Sequence, residues 1–154
     1  MATNTERAYL AGMIDADGSV MLKQQTSGTL DMGIMVYNVN ELLMHWLQER
    51  FGGKIRSEKR AKREHWRIRW VWAASGDEAR SILPTIAKFM VVKQPQANLA
   101  MEAWDDRRPT PRSERRWKLV DAETLTVRSG YVDRMRNLNA VGGNGAKDVF
   151  QKGA

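Results

Sequence analysis

Residues 9–20 read Tyr9-Leu10-Ala11-Gly12-Met13-Ile14-Asp15-Ala16-Asp17-Gly18-Ser19-Val20: a run of apolar and small side chains that ends in two carboxylates one residue apart and a glycine. Leu10, Met13 and Ile14 share one helical face, Asn4 or Thr5 can cap the start and Gly18 is placed to end it, so a helix is expected to about Ala16. Ala8, Ala11, Gly12 and Ala16 add a face of small side chains along which another helix backbone can approach closely. The natural partner is a second copy of the same helix. Around a two-fold axis the two Asp17 carboxylates come close and repel unless a cation bridges them, and carboxylates, carbonyls and water suit Mg²⁺. An EF-hand is excluded, because a loop starting at Asp15 puts Thr26 where a bidentate Glu is required.

Beyond Gly18 the apolar period changes to two. Val20 and Leu22, then Leu30, Met32, Ile34 and Val36, define one face of a hairpin that turns at Ser27-Gly28. Asn38 or Asn40 can cap a second helix, with Leu43, Trp46, Leu47 and Phe51 at helical spacing until Gly52-Gly53. A second hairpin follows, its return strand alternating Trp66, Ile68, Trp70 and Trp72 inward with Arg67, Arg69 and Val71 outward. Ser75 and Glu78 have the spacing of a capping box before a third helix containing Pro84. A fourth helix begins near Pro95, residues 105–118 read as a basic, proline-containing loop, residues 131–140 as a short last helix and residues 141–154 as a frayed tail. The order is that of one α+β domain over residues 1–154 with a four-stranded, mostly antiparallel sheet, its core at about 5–105 and a C-terminal extension at about 106–140.

The chain has 154 residues, 25 Lys+Arg against 18 Asp+Glu, and a net charge of +7, which favours a polyanionic partner. Without cysteine there is no disulfide, thiolate zinc site or cysteine nucleophile, so a bound metal is expected to be a hard one held by oxygen. His45 and His65 read as structural. No stretch is apolar enough to span a bilayer and no export signal is visible, so an intracellular, soluble protein without a membrane partner is expected, in cytoplasm, nucleoid or organelle matrix.

The excess charge is local. Lys54, Arg56, Lys59, Arg60, Lys62, Arg63, Arg67 and Arg69 are offset only by Glu58 and Glu64 between residues 54 and 69, a net +6, and the turn there reads as a phosphate clamp. Arg107, Arg108, Arg112, Arg115, Arg116 and Lys118 form another basic group. Outward hairpin positions Lys23, Gln25, Thr29, Asp31, Tyr37, Arg56, Glu58, Arg67 and Arg69 mix amides, acids and guanidinium groups suited to base edges in the major groove. Met21 and Met35 on the same face read as packing residues. A strand of about eight residues covers roughly 26 Å, about eight base pairs, so two subunits match a partly palindromic site of about twenty.

The nonapeptide Leu10-Ala11-Gly12-Met13-Ile14-Asp15-Ala16-Asp17-Gly18 resembles the signature of the LAGLIDADG homing endonucleases, with Met in the fourth place. "VYNVNELLMHWLQERFGGKI" and "LPTIAKFMVVKQPQANL" are similar to further family segments, and the likeness covers about residues 6–105. It implies an αββαββα fold with a saddle-shaped DNA-binding sheet and, for one motif per chain, a homodimer. It further implies that Asp17 holds the divalent metal with help from the Ala16 carbonyl, that Lys93 lies near the scissile phosphate, and that Asn38 positions water. Asp15 matches the more structural acid and is grouped with Ala8, Ala11 and Gly12 at the dimer interface. Some relatives carry an arginine where this chain has Asn40-Glu41-Leu42. The implied activity is site-specific hydrolysis of both DNA strands in intron or intein homing. Mg²⁺ is the expected ion, Mn²⁺ its alternative, and Ca²⁺ is expected to support binding without efficient cleavage. A maturase that binds intron RNA and a non-cleaving DNA-binding regulator are the alternatives on the same scaffold.

Overall fold

A computed structural model describes residues 1–58, 68–106 and 121–141, except for the side chain of Val141. Its elements in chain order are α1 (Asn4–Asp17), β1 (Gly18–Gln24), β2 (Leu30–Asn38), α2 (Glu41–Phe51), β3 (Lys54–Glu58), β4 (Arg69–Ser75), α3 (Asp77–Ile86), a 3₁₀ turn (Ala87–Phe89), α4 (Gln94–Asp105) and α5 (Ala122–Val141). The first seven make the expected αββαββα sequence. The strands lie in the order β1-β2-β4-β3, and every pairing is antiparallel.

Alternation sorts the sheet into two faces. Val20, Leu22, Leu30, Met32, Ile34, Val36, Trp72 and Ala74 are buried and join Leu10 and Ile14 of α1, Met44 and Leu47 of α2, and residues of α3, α4 and α5 in one core. The other face carries Met21, Lys23, Asp31, Met35, Tyr37, Lys54 and Arg56, none of them buried. A sheet with helices on one side leaves its other side available for a partner.

Local chemistry moves several boundaries. Thr3, one residue before the expected positions, caps α1: its side chain accepts from Glu6 N–H while Glu6 receives the Thr3 backbone N–H, a reciprocal capping box. Asn40 caps α2 through Leu43 N–H at 3.2 Å, and Gly52 and Gly53 stop it with φ of 74° and 84°. The expected Ser75/Glu78 box does not form, because Ser75 is the last residue of β4, opposite Gly33; Gly76, with φ 56°, starts α3 without a side-chain cap. Pro84 sits inside α3, which gives way to the 3₁₀ turn three residues later. Trp72 is fully buried and its Nε1 donates to Gly52 O at 2.8 Å, but Ile68, expected inside, precedes β4 and is exposed. Trp66 and the other residues of 59–67 lie outside the described residues.

The last helix starts nine residues earlier than expected. Asp121 caps it through Thr124 N–H at 2.8 Å, and Val132 and Met135 enter the core. Its buried Arg128 donates to Gly28 O at 2.7 Å, and Asn139 Nδ2 donates to Val20 O at 3.2 Å, so α5 braces the first hairpin from tip to base. No helix among the described residues is long and apolar enough to cross a membrane.

Candidate active site and nucleic-acid interface

Asp17 is the last residue of α1, and it and Ala16 are exposed. The helix end is held in two ways. Gly18 N–H donates to Ile14 O, and Lys93 Nζ reaches over from the start of α4 to donate to Ile14 O at 2.6 Å and Asp15 O at 2.8 Å. Asp15 returns the contact: its Oδ2 accepts from Val91 N–H at 2.7 Å and its Oδ1 from Lys93 N–H at 2.8 Å. Two segments 78 residues apart are thereby latched, with a cation at the negative end of the helix dipole. Burial lowers the pKa of Lys93 below the ordinary lysine value, opposed by the charges of Asp15 and Asp17.

Gly18 ends α1 as expected, and close approach of the backbone requires a glycine there. Its φ is −100°, an extended conformation open to any residue, but a Cβ there would lie 2.5 Å from Met35 O and 2.6 Å from Ile14 Cα. The motif therefore ends in glycine because α1 meets β2 without room for a side chain, and this contact sets Asp17 at the sheet edge.

The small-residue face is divided. Ala8, Gly12 and Ala16 are exposed, and a Cβ on Gly12 would meet nothing within 4 Å. Ala11, grouped with them by sequence, is fully buried, because the 100° step of the helix turns it into the chain's own core. Asp15, also grouped with them by sequence, uses both its oxygens to hold the 91–93 segment within the chain. The open stripe borders a groove of about 410 Å³ in which Gly12, Ala16 and Asp17 face Val36, Tyr37 and Asn38. Asn38 Oδ1 accepts from Asn40 N–H at 2.9 Å, fixing the chain between β2 and α2. Asp17, Ala16 and Asn38 are thus brought together, with Lys93 at the same helix end.

Hard oxygen donors at an exposed helix end fit a divalent cation. Among the described residues no group of three or more His, Cys, Asp or Glu side chains could hold a metal ion. His45 is exposed and lies 3.6 Å from Glu41 on α2.

On the open sheet face, Lys23 is opposite Asp31, and Gln25 and Thr29 close the hairpin through Gln25 N–H to Thr29 O at 2.8 Å. Glu58 lies between two arginines: Arg69 Nε donates to it at 3.1 Å and Arg56 Nη2 at 3.4 Å. Arg69 also stacks on Tyr37, 4.7 Å from the ring centroid. The expected readers Arg56, Glu58, Arg69 and Tyr37 are therefore one preorganised cluster. Lys59, Arg60, Lys62, Arg63 and Arg67, with the second basic group at 107–118, lie outside the described residues. Met21 and Met35, read from the sequence as packing residues, line a recess of about 370 Å³ on this face. Alternation placed both methionines outward, and that was the available signal.

The fold has known counterparts. It is similar to the homing endonuclease I-CvuI in complex with its target in the presence of Ca, with TM-score 0.67 and 16% identity over 88% of this chain and 82% of that one. It is also similar to the archaeal intron-encoded homing endonuclease I-Vdi141I complexed with DNA (0.63, 18%, 88% and 84%). A third is the group I intron-encoded homing endonuclease I-CeuI complexed with DNA (0.63, 16%, 88% and 68%). No curated protein sequence matches the chain. The model of the LAGLIDADG-like domain matches residues 4–87, more than half of the sequence and all of α1 through α3, and the chain therefore belongs to the LAGLIDADG-like domain family.

Proposed function

We propose that two copies of this chain form a site-specific, divalent-metal-dependent endonuclease that hydrolyses both strands of a long, partly palindromic DNA duplex. The observation that carries this reading is the position of Asp17: an exposed carboxylate at a rigidly latched helix end, beside an open small-residue face and at the border of an uncovered sheet. The similar structures support it, being homing endonucleases in DNA complexes, one with Ca present.

Ala8, Gly12 and Ala16 let the two α1 helices approach, which brings Asp17 and the partner subunit's Asp17 to a shared axis. Asp17 and the Ala16 carbonyl hold the ion, Mg²⁺ or Mn²⁺, with Ca²⁺ supporting binding alone. When bound, the ion supplies Lewis-acid activation of water and neutralises charge at the phosphate. Asn38 stands in the same groove, where its amide can position water. Lys93 fixes the end of α1 and adds a positive charge beside Asp17, in a place to favour charge developing on a phosphate. The sheet aligns with the duplex, its basic residues binding phosphates and its outward side chains reading base edges.

Incubation of the purified protein with a randomised duplex library and Mg²⁺ tests the proposal. Recovered cut ends sharing a sequence with two-fold symmetry are expected. Capture of duplex without cutting would replace it with a DNA-binding regulator, and capture of intron RNA alone with a maturase.

A further inference from the structure

The centre of the open sheet face differs from its ends. Strand register places Met21 opposite Gly33 and Met35 opposite Ala73, with all four side-chain positions on the uncovered face. They line the 370 Å³ recess together with three basic residues, Lys23, Lys54 and Arg56, and two acidic ones, Asp31 and Glu78. Gly33 keeps it open: a Cβ there would enter ordinary contact with Met21 at 3.4 Å and fill part of the space. Met35 is held in place, since the Tyr37 hydroxyl donates to its Sδ at 3.4 Å and Arg56 Nη2 lies 4.0 Å from the same sulfur. Soft, apolar side chains in a fixed hollow, with Lys54 and Arg56 in excess over the acids once Asp31 is set against Lys23, suit a ligand that is apolar at the point of contact and anionic around it.

We propose that this recess receives the 5-methyl group of thymine and so selects thymine in the middle of each half-site. The inference rests on the DNA-reading function proposed above. Of the base edges in the major groove, that of thymine presents a methyl group, which pairs with apolar side chains. Lys54 and Arg56 match the flanking phosphates. The position follows from β2, whose outward residues run Tyr37, Met35, Gly33, Asp31 from the Asp17 end toward the hairpin tip. Each two-residue step covers roughly 6.8 Å, about two base pairs, so polar readers flank the methyl-reading region on both sides.

The test uses the best-cut duplex selected from the randomised library. Thymine is expected at one or two symmetry-related mid-half-site positions, and replacing it there with deoxyuridine, which removes only the methyl, should weaken binding about four-fold per half-site, the factor for burying one CH₂-sized group. Met35→Gln should bind the thymine and deoxyuridine duplexes alike. Deoxyuridine binding within two-fold of thymine at every selected mid-half-site thymine, or absence of thymine from these positions, overturns the inference while leaving the endonuclease standing. A wild-type protein that neither cuts nor binds any duplex overturns both.

Discussion

Gly12 and Gly18, six residues apart in one motif, should respond to the same substitution in opposite directions. Adding a methyl at Gly18 puts a Cβ 2.5 Å from Met35 O and 2.6 Å from Ile14 Cα, against the 3.0 Å that real Cβ atoms essentially never undercut. Both obstacles are backbone, so no rotamer change relieves them, and α1 must withdraw from β2 by about half an ångström. Overpacking that side chains can partly absorb costs about 1–3 kcal/mol, and a backbone clash belongs at the upper end, about 3 kcal/mol. With a urea m-value of about 2 kcal/mol/M, Gly18→Ala should lower the unfolding midpoint by about 1.5 M. Gly12→Ala meets nothing within 4 Å and replaces an exposed helical glycine, so the isolated chain should gain about 0.5–1 kcal/mol. The same methyl projects from the open stripe, and Gly12→Leu in turn should hold the paired helices apart. Urea melts at protein concentrations below dimerisation give the first two numbers, and sedimentation at micromolar concentration gives the third. A Gly18→Ala protein within 0.5 kcal/mol of wild type would refute the close-approach reasoning.

Asp15→Ala leaves the N–H groups of Val91 and Lys93 without their carboxylate and should cost about 2 kcal/mol in urea melts, with reduced cleavage because Lys93 loses its backbone anchor. Arg128→Met removes the donor to Gly28 O, at a cost of about 1–3 kcal/mol, and should loosen the Gln25–Thr29 turn; faster amide exchange there measures it. Lys54→Ala should weaken binding to all duplexes alike and reduce the slope of log K against log salt by about 0.9, as read from binding titrations over a range of salt.

The fold was largely legible because its signals are local. Period-two alternation in residues 18–38 and the Gly52-Gly53 stop mark elements whose residues face the core the pattern points to. Ser75 misled because a capping-box spacing is read along the chain, whereas strand pairing with Gly33 claims that residue across it. The length of α5 was missed for a similar reason: Thr124, Thr126, Val127 and Gly130 weaken its helical propensity, and tertiary packing of Val132, Met135 and Arg128 on the hairpin and α4 offsets that. At the site, the nonapeptide gave the place of Asp17, but not that Asp15 and Lys93 latch one another, because their partners lie 76 to 79 residues away. Small side chains alone could not divide Ala11 from Gly12, since only the packed helix shows which side faces the core.

The central claim is that Asp17 supplies metal-dependent hydrolysis and not DNA affinity. Asp17→Asn keeps the size of the side chain and the helix end, removes the charge that attracts the cation, and relieves repulsion toward phosphate. A paired gel-shift and cleavage assay on one selected duplex in Mg²⁺ should show binding at least as tight as wild type with cutting abolished. A variant that still cuts within a few-fold of the wild-type rate would contradict the account.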